Sequence, residues 1–229
     1  MNAFAPEGSP FIIVFIFITL AALFVRLPWL TVLFLVLTLF MFYFFRDPER
    51  TVPQDKGVFV SPADGRVILI KEIHGDIIPP DPWSPSAPPE AGNPPLIKGD
   101  FIKISIFMSP FNVHVNRAPC DGVVKAVKHT PGRFFAADKD EASMLNENIA
   151  MVLEGGEGTI LVRQVAGFIA RRAVCRVKAG DKLKRGERYG IIKFSSRLDV
   201  YLPLNANIKV KLGDRVKAGE TILGVIEDK

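Results

Sequence analysis

Two adjacent serines near the C-terminus have the side chains best placed for chemistry. Ser195 and Ser196 interrupt an otherwise apolar, β-prone run from Ile191 to Pro203, which ends in proline. A serine hydroxyl beside a peptide carbonyl can attack that carbonyl, and a base must accept its proton because a neutral hydroxyl is a weak nucleophile. The alternative is a pair of polar residues on the solvent face of a strand.

His114 is the candidate base. It alternates with Val113 and Val115, so it shares one face of the predicted strand with Asn112 and Asn116. This polar stripe is either a solvated strand face or a source of acid–base chemistry, and the alternation alone does not decide between the two.

Asp64 is the candidate partner acid. It falls in the Pro-Ala-Asp-Gly sequence Pro62–Gly65, which predicts a hairpin turn between the strands Gly57–Ser61 and Arg66–Ile70. A turn explains this aspartate without any function. Metal-binding helix motifs, phosphate-binding loops and dinucleotide-binding patterns do not occur, so metal and nucleotide chemistry have no support.

The first ~50 residues differ from the rest in composition. Two apolar runs, Phe11–Val25 and Trp29–Phe45, are separated by Arg26 and Pro28. Each run is slightly shorter than the ~20 residues that cross a bilayer, and a charge and a helix breaker lie between them. Residues 1–50 are therefore expected to form a membrane-anchoring helical hairpin, spanning or re-entrant.

Charge indicates the side of the membrane and the partner. Arg46, Arg50 and Lys56 follow the second run, which predicts an inner-membrane protein with its soluble part on the cytoplasmic face. The net charge of +5 calls for an acidic partner. Nucleic-acid recognition patterns do not occur, so anionic lipid is the expected partner and nucleic acid is not.

Residues 51–229 are expected to form one β-rich domain with a single core. Short alternating runs predict strands throughout, Ser143–Ala150 is the one predicted helix, and the proline-rich stretch Ile78–Pro95 is expected to be a loop. The motif V-K-x-G-D-x-[LV]-x-x-G-E occurs twice, in Val177–Glu187 and Val210–Glu220. This pair resembles the hairpins of barrel-sandwich hybrid domains, so the expected fold is mostly β, barrel-sandwich-hybrid-like, with little helix after the N-terminal hydrophobic hairpin.

Five segments carry a family resemblance, and they occur in the family's order. They are Phe59–Gly65, Ser109–Arg117, Glu141–Asn148, Gly167–Cys175 and Phe194–Pro203. Together they resemble phosphatidylserine decarboxylase in its short bacterial and archaeal form, over nearly the whole chain beyond Phe45 and including the preceding membrane segments.

The resemblance implies an inactive proenzyme that cuts itself between Ser195 and Ser196. Ser196 would be the nucleophile and would become a pyruvoyl group, leaving a larger chain 1–195 and a smaller chain 196–229 that stay associated. His114 would be the general base and later the general acid, and Asp64 would orient it, as in a Ser-His-Asp triad.

The resemblance also implies the reaction that follows. The pyruvoyl ketone would form a Schiff base with the amine of phosphatidylserine and accept the electrons left by departing CO2, which yields phosphatidylethanolamine. Neither a metal nor pyridoxal phosphate is expected. Arg117 and Arg197 are the candidate ligands of the lipid headgroup, and a homo-oligomer is possible in this family.

Two departures from the family pattern and three alternatives stand beside this interpretation. Ser195 occupies the position where the family has glycine, and Arg117 the position where longer relatives have a second histidine, so His114 would serve twice. The alternatives are a membrane-anchored barrel-sandwich carrier or adaptor without activity, an inactive relative, and a decarboxylase of ether-linked (archaetidylserine-type) lipids.

Overall fold

The computed structural model describes residues 3–75, 97, 99–132, 146–167, 172–194 and 196–227. The chain divides into two compact units, one of Met1–Glu49 with Pro110–Val113 and one of Arg50–Ser109 with His114–Lys229. The first unit is mainly helical, and the second is built from strands.

The helical unit is an antiparallel hairpin. After a single 3-10 turn at Pro6–Gly8 come α1, Ser9–Phe24, and α2, Pro28–Phe44. The hydroxyls of Thr19 and Thr38 lie 3.1 Å apart across the two helices, and each can donate its one proton to a carbonyl one turn earlier in its own helix. The predicted N-terminal hydrophobic hairpin is thus confirmed, and its two central hydroxyls are satisfied without water.

The connection between the helices is as tight as the sequence predicts. Arg26 takes a left-handed conformation with φ 59°, and Pro28 opens α2, where its missing N–H costs nothing. Pro6–Phe24 is 19 residues long with mean hydropathy 2.1, and it is the one helix among the described residues long and apolar enough to cross a membrane. The second helix, Pro28–Phe44, is shorter.

Among its described residues the second unit contains fourteen strands, most of them short. They are β1 Val58–Val60, β2 Gly65–Ile73, β3 Phe101–Met108, β4 Val115–Arg117, β5 Gly122–Thr130, β6 Asn148–Gly155, β7 Gly158–Ala166, β8 Ala173–Cys175, β9 Lys182–Leu183, β10 Arg188–Ile192, β11 Ser196–Pro203, β12 Asn207–Ile208, β13 Arg215–Val216 and β14 Ile222–Val225.

These strands form one large curled sheet and two small ones. The eight-stranded sheet has the order β13-β2-β3-β11-β7-β6-β5-β9, and the small sheets have the orders β1-β14-β12 and β4-β10-β8. The main hydrophobic core lies between one face of the large sheet and both small sheets, with residues such as Ile104 and Val200 from the former and Phe59, Leu223 and Ile192 from the latter. The predicted mostly β fold is confirmed.

The large sheet is built from two equivalent halves. Its two edge strands, β13 and β9, come from the two copies of the V-K-x-G-D motif. The N–H groups of Gly213 and Gly180, one in each copy, donate to the carbonyls of Val67 and Val124 with the same 2.8 Å distance. The repeat therefore serves the fold by closing both edges, which would otherwise expose unpaired backbone groups.

Two local predictions were wrong. The strands on either side of Pro62–Gly65 do not form a hairpin, because β1 pairs with β14 whereas β2 pairs with β3 and β13. Asn146–Ala150 is not helical, because the chain from Asn148 onward is β6 and pairs with β5 and β7 on its two sides. Sheet pairing overrides local helix preference there. The proline-rich stretch 78–95 lies outside the described residues.

A buried ion cluster lies on the other face of β11 and β3. Arg197 donates from Nε to Asp199 Oδ1 at 2.6 Å and from its terminal nitrogen to Ser105 Oγ at 2.9 Å, and Lys103 Nζ lies 3.2 Å from Asp199 Oδ2. Burial disfavours the carboxylate, but the pairs with Lys103 and Arg197 outweigh it and hold the pKa of Asp199 below its ordinary value. This contribution to stability is present above the unfolded pKa of ~3.9 and is lost as pH falls through the lower folded pKa.

The cluster predicts a large effect of one substitution. Asp199→Asn should lower the free energy of unfolding of the uncleaved Ser196→Ala chain by about 3–5 kcal/mol, because it removes a buried carboxylate that is paired with both Arg197 and Lys103. Chemical denaturation in detergent at neutral pH measures this. The control Glu154→Gln removes an exposed pair with Lys125 and should cost less than about 1 kcal/mol. Equal losses in the two variants would contradict the prediction.

Candidate functional site

Ser196 is the first residue of β11, near the middle of the large sheet. It pairs with Met108 of β3 on one side and with Ala166 of β7 on the other. Its side chain is fully buried, and its hydroxyl donates to the sulfur of Met108 at 3.4 Å. The alternative of a serine on a solvent face is therefore wrong for Ser196.

A chain of buried amides continues from the Met108 sulfur. Asn116 Nδ2 lies 3.9 Å from this sulfur, and Gln164 Nε2 donates to Asn116 Oδ1 at 2.8 Å and to the Val174 carbonyl at 3.3 Å. Ser196 thus faces a small polar enclosure inside an otherwise apolar core.

The residue before the predicted cleavage site adopts an unusual backbone conformation. Phe194 has φ 60°, the left-handed region that costs a bulky residue about 1–3 kcal/mol. Ser195 itself lies outside the described residues. A strained residue thus lies two positions before Ser196, between β10 and β11.

His114 is fully buried and directly precedes β4. Its carbonyl accepts a hydrogen bond from the N–H of Ile192, the last residue of β10, at 3.3 Å. Ile192 ends β10, and Ser196 begins β11 four residues later, where it pairs with Met108. The backbone of His114 and Ser196 therefore lie at opposite ends of the short connection between these two strands. Asn116 is buried too, so the polar stripe is not a solvated face.

Asp64 is held by three hydrogen bonds. Both carboxylate oxygens accept from one terminal nitrogen of Arg50, at 3.0 and 2.9 Å, and Oδ1 also accepts from the N–H of Ala218 at 2.8 Å. A second terminal nitrogen of Arg50 lies 3.6 Å from Glu220. These bonds fix the orientation of the carboxylate. Its role toward His114 stays a prediction.

Asp121 is the residue equivalent to Asp64 in the other half of the large sheet. Ala118–Gly122 repeats the x-Pro-x-Asp-Gly pattern of Ser61–Gly65, and Asp121 Oδ1 accepts from the N–H of Arg185 at 3.0 Å, as Asp64 does from Ala218. The bond to a repeat turn is therefore structural in both halves.

Arg50 distinguishes the two aspartates. Of the hydrogen bonds and ion pairs seen among the described residues, the pair with an arginine side chain belongs to Asp64 and not to Asp121. Sequence reasoning assigned Arg50 only to membrane orientation and missed this contact. The repeated Asp-Gly pattern would have identified Asp121, but no local signal links Arg50 to a residue 14 positions later.

The two arginines predicted to bind a headgroup have internal partners. Arg117 is buried and donates to the Gly186 carbonyl at 2.9 Å, in the first copy of the repeat. Arg197 belongs to the ion cluster, and because it is adjacent to Ser196 on a strand its side chain projects from the opposite face of the sheet. Headgroup binding by either residue stays a prediction.

The two cysteines do not compete as nucleophiles. Both are free, and burial raises the pKa of Cys120 well above the ordinary thiol value and raises that of Cys175 as well. A protonated thiol is a poor nucleophile. Within the described part of the chain, groups of three or more His, Cys, Asp or Glu side chains that could hold a metal ion do not occur.

The chain is similar to known proteins of one family. The family described as phosphatidylserine decarboxylase matches residues 37–224. Three relatives, each named phosphatidylserine decarboxylase proenzyme, come from Desulfotalea psychrophila, Geobacter sp. strain M21 and Ralstonia pickettii. The first is 44% identical over 97% of this chain and 96% of its own length. The second is 45% identical over 97% and 96%, and the third is 46% identical over 85% and 82%. With this extent of identity, and with its predicted nucleophile at the start of a central strand, the chain belongs to the phosphatidylserine decarboxylase family.

Proposed function

We propose that this protein decarboxylates phosphatidylserine to phosphatidylethanolamine, after cleaving itself between Ser195 and Ser196. The family match supports the substrate and the reaction. The observation that carries the cleavage is the position of Ser196: a buried hydroxyl at the first residue of a central strand, two residues after the strained Phe194.

Cleavage uses only atoms of the chain and one water. Ser196 Oγ attacks the Ser195 carbonyl carbon while a base takes its proton, and the C–N bond breaks to leave an ester. Elimination of the Ser195 carboxylate then leaves dehydroalanine at position 196, and water converts this to the pyruvoyl ketone with release of ammonia. The base is needed because a serine hydroxyl is not nucleophilic at neutral pH.

His114 is the base of this proposal, and Asp64 orients it. Backbone bonding of His114 to Ile192 supports the first assignment, because it ties the histidine to the strand that leads into the cleavage site. The second rests on Asp64 being a fixed carboxylate, held by Arg50 and by the Ala218 N–H. In this scheme Arg50 is a positioning residue that holds the Asp64 carboxylate in one orientation.

The fold accounts for how both chains stay together after cleavage. Eight residues of β11 pair with β3, and six of them also pair with β7. The rest of the smaller chain supplies β12 and β14 of one small sheet and β13 of the large one. Cutting before Ser196 therefore leaves its strand fixed on both sides, with the new terminus at the same place in the sheet.

The surroundings of residue 196 fit a pyruvoyl group. The enclosure formed by Met108, Asn116 and Gln164 is buried, so it excludes bulk water, and Gln164 Oε1 is a buried acceptor without a partner among the described residues. A pyruvoyl ketone supplies the electron sink for loss of CO2. In this proposal Gln164 accepts an N–H from the substrate amine, and His114 returns a proton to the carbon that loses CO2.

The apolar hairpin accounts for the lipid substrate. Its two helices present large apolar side chains to the outside along their length. Anchoring in the inner membrane, with the strand-built unit on the cytoplasmic face, would let a diacyl lipid reach the site without leaving the bilayer, and basic residues after the hairpin would attract its anionic headgroup. The carrier or adaptor alternative has no comparable support in the family match.

Ser196→Ala tests the proposal directly. The variant should migrate as one chain of 229 residues and release no CO2 from vesicles containing phosphatidylserine, whereas the wild type should yield two chains and be active. Ser61→Ala is the control, since it removes another buried hydroxyl, the one bonded to the Ala63 carbonyl, and should leave cleavage intact. Decarboxylation by the Ser196→Ala protein would refute the mechanism.

Asp64→Asn and its counterpart Asp121→Asn form a matched pair. Both variants keep an oxygen for the backbone N–H of a repeat turn, but only Asp64→Asn removes a charge paired with Arg50. Asp64→Asn should slow self-cleavage by about 10²-fold or more, in the range of a lost acid–base group. Asp121→Asn should cleave at the wild-type rate. Equal slowing in both, measured by gel during refolding or synthesis, would assign Asp64 a purely structural role.

Ser195→Gly tests whether the serine that stands in place of the family's glycine slows self-cleavage. Removing the Cβ widens the backbone conformations open to the residue whose carbonyl is attacked, so maturation should become faster. A time course of cleavage after synthesis gives the rate. The prediction fails if the glycine variant matures at the same rate as the wild type or more slowly.

A further inference from the structure

The segment Pro110–Val113 belongs to the helical unit although it lies between β3 and β4 in the sequence. The carbonyl of Phe111 accepts two hydrogen bonds from the end of the hairpin, from Tyr43 Oη at 3.1 Å and from a terminal nitrogen of Arg46 at 2.8 Å. The Arg46 guanidinium also lies 3.8 Å above the Tyr43 ring. The end of α2 and the residue Arg46 thus bind this segment through its backbone carbonyl.

The Phe111 side chain remains exposed although its backbone is hydrogen-bonded. It is 66% exposed, and its ring stands edge-on to that of Phe40 with 6.4 Å between centroids. Phe40 precedes Tyr43 by three residues, which places it about 4.5 Å further along the helix toward the apolar interior of the hairpin. Phe111 therefore extends the apolar surface of α2 at the level just inside Tyr43 and Arg46.

This combination is typical of a membrane interface. Tyrosine and arginine favour the headgroup level, and aromatic rings favour the boundary just below it. A backbone carbonyl at that depth must find its partners within the protein because water is scarce, and the Phe111 carbonyl has two. On a surface exposed to water, water molecules could donate to this carbonyl in place of Tyr43 and Arg46.

We propose that Pro110–Val113 is a second membrane contact, in which Phe111 inserts among the lipids at the boundary between headgroups and acyl chains while Tyr43 and Arg46 hold its backbone. His114 follows Val113 directly, so its Cα lies about 3.8 Å from that of the membrane-contacting segment. The consequence for catalysis rests on the proposed function. In that function His114 is the acid–base residue, and its link to Val113 keeps it close to the headgroup level, where the carboxylate of phosphatidylserine lies.

Fluorescence tests the insertion without requiring activity. In the Ser196→Ala chain with Trp29→Phe and Trp83→Phe, the variant Phe111→Trp should show blue-shifted emission in vesicles and strong quenching by lipids brominated near the headgroup end of the acyl chain. Leu212→Trp is the matched control, since Leu212 is 69% exposed in the strand-built unit and should behave as a water-exposed indole. Emission of Phe111→Trp like that of the control would overturn the proposal. So would a blue shift without quenching by brominated lipid, which would show burial against a second copy of the chain.

Kinetics test the consequence. Phe111→Asp should lower kcat/KM about tenfold for phosphatidylserine in vesicles, in line with the loss of one partly buried phenyl ring, and leave it unchanged for a water-soluble short-chain phosphatidylserine. Leu212→Asp should change neither. Equal losses on both substrates would mean that Phe111 acts on the fold and not on the membrane. If the wild type decarboxylates neither substrate, the proposed function fails while the quenching result still decides whether Phe111 inserts.

Discussion

The pairing of β11 between β3 and β7 is the constraint on which the rest of the structure depends. A strand bonded along both edges cannot shift its register without turning every side chain to the opposite face. The Arg197–Asp199 pair on one face and the core residues Leu198 and Val200 on the other make such a shift more costly still. Ser196 is consequently held at one position, and any chemistry there proceeds against a rigid scaffold.

The near-symmetry of the large sheet separates what the fold requires from what the chemistry requires. The Asp-Gly turns and the V-K-x-G-D edges occur in both halves, so their presence at Asp64 says little about function. Phe194, Ser196 and the Arg50–Asp64 pair have no counterparts at the equivalent positions of the other half among the described residues: Gly158, at the start of β7, takes the position of Ser196. The candidate site is the place where a duplicated scaffold departs from its symmetry.

Much of this could be predicted from the sequence, for identifiable physical reasons. The apolar runs around Arg26 and Pro28 fixed the hairpin because length and polarity leave few options, and alternation predicted most strands. Pairing partners could not be predicted: Pro62–Gly65 looks like a hairpin turn locally, and only long-range bonds send β1 and β2 to different sheets. Arg50 and Gln164 were missed for the same reason, since their contacts depend on tertiary structure.

The mass of the purified protein, measured intact after denaturation, tests the central claim most directly. The account predicts two chains, residues 1–195 and 196–229, with the smaller one lighter by one ammonia than the corresponding peptide with a free N-terminal serine. A single unmodified chain in a preparation that fully decarboxylates phosphatidylserine would contradict it.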